Sequence, residues 1–142
     1  MFVLDSDTLT LSLQGNPKIA RRILAARDGE ISLPAIVVEE QLRGRMAYLS
    51  SLNPVRVSDS PKVPLAYDLL LKTFHDLQRF SHLAYTVEME ALYQSWPAAV
   101  KRAGTRDCRI AATAIVHGFT VVTCNQRDFQ PIPGVKTLDW SQ

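Results

Sequence analysis

Apolar positions along the chain follow two rhythms. Short continuous runs at Phe2–Leu4, residues 31–33 and residues 119–123 have the form of buried parallel strands. Between them apolar residues recur every three or four places. This spacing predicts helices over residues 8–13, from Asn16-Pro17 to about Ala26, from Pro34 to about Leu49 and over residues 65–80. Another is expected to end near Trp96, and an alanine-rich one should cover residues 106–117 and stop at Gly118. In the helix over residues 65–80, Leu69, Leu70, Phe74 and Leu77 form the expected apolar side, read as core rather than dimer surface. Residues 83–86 read as a further strand and residues 135–138 as a short last one. Asp28-Gly29, Asn53-Pro54, residues 59–64 and Gly104 read as turns and loops. Alternation of strand and helix predicts an α/β fold with a central, mostly parallel sheet and helices on both faces, as a single domain over residues 1–142.

Composition changes this picture little. The chain has 142 residues, 46% hydrophobic and 21% charged, enough for one disulfide-free core. A net charge of +2 permits a nucleic-acid partner without arguing for one. Cys108 and Cys124 lack metal-ligand spacing and read as reduced thiols of a cytoplasmic protein. No apolar run approaches the roughly 18 residues of a membrane span, and a strand beginning at residue 2 is read as leaving no place for a secretory leader. His75, His82 and His117 have no ligand spacing.

The acids change it more. Right-handed crossovers start each helix near the carboxyl edge of the preceding strand, where ligands bind in open parallel sheets. Asp5 and Asp7 follow the first strand, and Glu39 and Glu40 sit early in the helix after the second. Asp107 lies in the first turn of the alanine-rich helix, and Asp128 follows the strand at 119–123. Each alone is explained by a cap, a turn or a solvated helix face. Together they converge on one edge, where uncompensated carboxylates would force some to protonate. A hard divalent cation, Mg²⁺ or Mn²⁺, suits such an all-oxygen cluster, and the cluster then suits phosphoryl chemistry.

The stretches "FVLDSDTL", "VVEEQLRG", "RDCRIAATAIVHG" and "VVTCNQRDF" occur in this order over almost the whole chain. In them the sequence resembles the PIN-domain nucleases, most closely the VapC-like toxins of toxin–antitoxin pairs. The resemblance implies a PIN-like three-layer α/β/α fold. It also implies a Mg²⁺- or Mn²⁺-dependent ribonuclease in which Asp5, Glu40, Asp107 and the more variable Asp128 form the metal and catalytic set. Thr123 and Asn125 match polar residues that support the site. Asp7 stands where the family often has asparagine, as a local hydrogen-bonding residue. A metal-activated water would attack phosphorus in line and leave a 3′-hydroxyl and a 5′-phosphate. An RNA substrate, a small antitoxin and a homodimer are the implied partners. Glu39 and Glu40 remain alternatives. A helical wheel places Glu39 nearer the expected buried stripe of Ala35, Val38, Leu42, Met46 and Leu49, whereas the spacing to Gly44 favours Glu40. Pro34 and Val37 stand where the family often has serine or threonine. Arg43, Arg106, Arg109 and Arg127 adjoin the motifs and are candidates for RNA phosphates.

Two other readings compete. Asp5-Ser6-Asp7 has the D-x-D form of a haloacid dehalogenase-type phosphatase, with Asp5 as nucleophile. However, Leu9 stands where that family has threonine or valine, and Pro34 follows the second strand instead of a hydroxyl residue. The other is a non-catalytic PIN-like module that binds RNA or protein, against which the retained acids argue.

Overall fold

The computed structural model describes residues 1–142. Its sheet consists of β1 (Phe2–Leu4), β2 (Ile31–Pro34), β3 (Ser81–Leu83), β4 (Thr120–Val122) and β5 (Thr137–Leu138), in the order β3-β2-β1-β4-β5. Every pairing is parallel, with Phe2 opposite both Ile31 and Thr120. The helices are α1 (Ser6–Leu13), α2 (Pro17–Ala25), α3 (Ala35–Ser51), α4 (Lys62–Leu77), α5 (Val87–Ser95), α6 (Ala98–Lys101), α7 (Thr105–His117) and α8 (Gln126–Phe129). Right-handed crossovers put α1–α4 on one face, because β2 and β3 extend the sheet one way from β1. They put α5–α7 on the other, because β4 lies on the opposite side. The result is a three-layer α/β/α sandwich. The strand order reverses between β1 and β4, and a crevice opens beyond their carboxyl ends.

The central strands are apolar because both their faces are covered. Val3, Leu4, Leu33, Val121 and Val122 are fully buried. They share one core with Leu9, Ile19, Val37, Cys108, Ile110, Phe129 and the alanines of α7. Ala111, Ala112 and Ala114 let α7 lie close to the sheet, and Gly118 ends it at φ +69, a left-handed position suited to glycine. Asn16 caps α2 as expected, accepting the Lys18 and Ile19 N–H groups at 3.1 and 3.2 Å.

Several boundaries differ from the sequence expectation. The third strand is Ser81–Leu83, not residues 83–86. It is an edge strand with two exposed residues, and Thr86 instead caps α5. The fourth helix starts at Lys62, since Pro64 fits a first turn whose N–H groups have no intrahelical partner. A 3₁₀ turn, Val57–Asp59, lies in the expected loop. The buried residues of α4 are Ala66, Thr73 and Leu77, and Phe74 is exposed. No helix is long and apolar enough to cross a membrane.

Candidate functional site

Asp5 ends β1 where its neighbour β4 also ends. Its backbone N–H donates to the Val122 carbonyl at 3.1 Å, which holds the residue in the crevice. Its carboxylate Oδ1 accepts the Thr8 N–H at 2.8 Å and caps α1. The residue is buried, 6% exposed. That burial pushes its carboxyl above the usual range, and the Thr123 and Thr8 hydroxyls pull it back.

A cavity of about 460 Å³ opens beside it, lined by Asp5, Ser6, Asp7, Glu40, Gly104, Thr105, Arg106, Asp107 and Ile110. Three distant parts of the chain meet here, namely the β1–α1 junction, the second turn of α3 and the start of α7. Gly104 precedes α7 at φ +109 and caps it without a side-chain hydrogen bond, and Thr105 is the first residue of the helix. The positive end of α7 therefore borders the acids. Asp107 lies in this first turn. Its pKa is pushed up to about 6 by burial, then by the charges of Asp128, Asp5, Glu40 and Asp7.

Between the two glutamates of α3 the placement is plain. Glu40 lines the cavity, whereas Glu39 is exposed and pairs with Arg43 on its own helix at 3.1 Å. Both Glu40 oxygens are engaged. One accepts the Ser6 hydroxyl, and Oε1 accepts Arg106 Nη1 at 2.7 Å. Gln41 braces the same corner, donating to the Ser6 carbonyl at 3.3 Å and the Thr10 hydroxyl at 3.1 Å. The expected buried stripe of α3 is not the observed one. Val37 is its fully buried residue, while Met46 is 52% exposed.

Asp7 lines the cavity from the exposed side of the first turn of α1. Asp128 lies outside the lining. It is held by Asn125, whose amide donates to it at 2.6 Å, yet its charge is the first among those raising Asp107. Thr123 is buried beside Asp5 and accepts the Asn125 N–H at 3.0 Å, so it links the two acids through backbone and hydroxyl. Pro34 gives α3 no side-chain cap, and Val37 packs in the core. Sequence reasoning missed Ser6 and the Arg106–Glu40 pair. Nothing in sequence spacing signals a contact between α3 and α7.

No three His, Cys, Asp or Glu side chains form a ready-made metal cage. The donor set is nonetheless entirely oxygen, and burial together with the charges of the neighbouring carboxylates raises Asp107. These residues fit a hard divalent cation and give no soft ligand for any other kind.

Comparisons with known proteins identify the family and the fold. The model of the PIN domain matches residues 4–134. Ribonuclease VapC1 of Rickettsia felis is 51% identical over 35 residues, a match spanning 25% of this chain and 26% of that protein. Among solved structures, the DNA-bound VapBC of Salmonella typhimurium superposes with a TM-score of 0.73 at 24% identity, over 98% of this chain and 97% of that one. VapBC-1 of nontypeable Haemophilus influenzae gives 0.74 at 18% identity, over 99% and 98%. At these identities the structural likeness shows the fold.

Proposed function

The chain belongs to the PIN-domain family, and on that premise we propose that it is a metal-dependent endoribonuclease, the toxin of a toxin–antitoxin pair, acting as a single domain over residues 1–142. The observation that carries this reading is the meeting of Asp5, Glu40 and Asp107 in one cavity at the sheet's switch point. The crowding of Asp5, Asp7, Glu40 and Asp107 around one cavity suits a cation, whereas a surface that only binds an RNA strand would be repelled by it.

Asp5, Glu40 and Asp107 would hold Mg²⁺ or Mn²⁺, with Asp128 completing the set. Such a cation supplies a polarised phosphate, a water of lowered pKa and a stabilised leaving oxygen. The chain's own part is placement. The α1 cap and the Thr123 hydroxyl orient Asp5, Ser6 orients Glu40, and Asn125 orients Asp128. Asp7 adds charge at the rim. The uncapped start of α7 turns its positive end towards an incoming phosphate. Hydrolysis in line leaves a 3′-hydroxyl and a 5′-phosphate.

A small antitoxin is the partner proposed from the solved relatives, which include VapBC complexes and a toxin–antitoxin complex from Klebsiella pneumoniae. A homodimer and a cytoplasmic setting belong to the same reading. Incubating the purified chain with single-stranded RNA and Mn²⁺ tests the chemistry. Cleavage that stops in excess EDTA and in Asp107→Asn is the expected result. Equal cleavage under all three conditions would sink the proposal.

A further inference from the structure

Within the acidic cavity, Arg106 is the one lining residue with a positive charge. The other arginines near the motifs are turned elsewhere. Arg43 pairs with Glu39 on its own helix. Arg109 pairs with Glu90 at 3.3 Å and lies over the rings of Tyr85 and Tyr93, at 5.6 and 5.3 Å from their centroids. Arg127, on the short α8, is outside the lining. Arg106 instead reaches from the first turn of α7 to α3, where Nη1 meets Glu40 Oε1 at 2.7 Å.

This contact has two properties that matter together. It engages an oxygen of a carboxylate that the metal-site reading assigns to the cation. It is also open to water, with the side chains 47% and 29% exposed, so it is held weakly and exchanges easily. Resting on that reading, we propose that Arg106 is a resident counter-ion of the cavity. A divalent cation displaces it from Glu40, and the freed guanidinium then holds a phosphate of the RNA strand beside Asp107.

The physical case is one of competition and reach. Guanidinium and metal ion compete for the one Glu40 carboxylate, whose other oxygen already accepts the Ser6 hydroxyl. Without metal, the arginine offsets part of the repulsion among Asp5, Asp7, Glu40 and Asp107. With metal, that repulsion is met by two positive charges, and Arg106 is left without its acceptor. Its planar fork of donors matches a phosphate. Its backbone, fixed in the first turn of α7 next to Asp107, keeps the side chain within the cavity. Metal and RNA would therefore bind in order, because the phosphate grip is released only once the cation has arrived.

The test uses Arg106→Gln in the full chain and two binding measurements. Calorimetric titration with Mn²⁺ alone should show tighter binding in the variant, by about threefold to tenfold, as expected for loss of one exposed competing pair and one nearby positive charge. Fluorescence anisotropy of a labelled single-stranded DNA oligonucleotide, which offers the same phosphates, at saturating Mn²⁺ should show about fivefold weaker binding. Its salt dependence should be shallower by about one phosphate contact. A purely structural role for Arg106 predicts weaker Mn²⁺ binding in the variant, and that result would overturn the proposal, as would either constant staying unchanged. No Mn²⁺ uptake by the wild-type chain would instead overturn the metal reading itself, and the proposal with it.

Discussion

The backbone N–H of Thr8 donates to Asp5 Oδ1 at 2.8 Å, so the carboxylate that faces the acidic cavity is also the N-cap of α1. The cap explanation and the metal-ligand explanation of Asp5 are therefore not rivals. A carboxylate has two oxygens, and the cap fixes the direction in which the group presents itself to the crevice.

This double duty separates two substitutions. Asparagine caps a helix as well as aspartate, and alanine does not. Asp5→Asn is expected to fold with wild-type stability or better and to lose cleavage. Asp5→Ala is expected to lose cleavage and to be about 1 kcal/mol less stable than the asparagine variant. Urea titration of the two variants measures the difference. Equal midpoints would show that the cap contributes nothing.

Asp107 gives a pH signature. Its folded-state pKa of about 6 stands above the ordinary 3.8, so the folded chain binds the proton more tightly than the unfolded one. The stability this provides is complete below about pH 4 and is lost as pH rises through about 6. Discounted for solvent access, the loss is on the order of 1 kcal/mol. Metal-free Asp107→Asn should accordingly be more stable than wild type at pH 7 and show a flatter stability profile between pH 4 and 6. Thermal unfolding across that range in EDTA is the measurement, and a variant less stable at pH 7 would contradict it.

The same group couples metal to protons. Mn²⁺ has to displace the proton from Asp107, so its affinity should fall below about pH 6, approaching tenfold per unit of pH. Mn²⁺ should raise the melting temperature of the wild-type chain at pH 7. The rise should vanish in EDTA and be much reduced in Asp107→Asn. An undiminished rise in that variant would place the ion elsewhere.

Gly44 lies inside α3, one turn beyond Glu40, and a Cβ added there meets nothing within 4 Å. Glycine in a helix interior costs up to about 1 kcal/mol relative to alanine. Gly44→Ala is expected to stabilise the chain by several tenths of a kcal/mol up to that amount, read from urea unfolding. Destabilisation would mean that α3 relies on a freedom the structure does not reveal.

Much of this was legible in the sequence. The central strands are continuous apolar runs because both of their faces are buried, and the acids follow them because crossovers start at the carboxyl edge. What escaped did so for physical reasons. Ser81–Leu83 is an exposed edge strand, so it carries no apolar run. The helices α6 and α8 have four residues each, too few to show a period. The wheel of α3 misled because the helix meets β2, α4, α1 and α7 at different points along its length, and no single stripe serves all of them. It drew Glu39 towards the core, yet that residue lies in solvent. On α4 the rhythm found apolar positions but not what covers them. Phe74, on the expected apolar side, remains 45% exposed. The Arg106–Glu40 contact joins segments far apart in the chain and left no local trace.

The order of the strands bears on how such a chain is made. Strand β1 sits in the middle of the sheet, and its β4 neighbour is not synthesised until Thr120–Val122. Until then Asp5 has no Val122 carbonyl to rest against, and Asp107 has no finished layer to carry it. The crevice between β1 and β4 therefore closes only after β4 has been made. A growing chain that has not reached β4 carries no assembled acidic crevice.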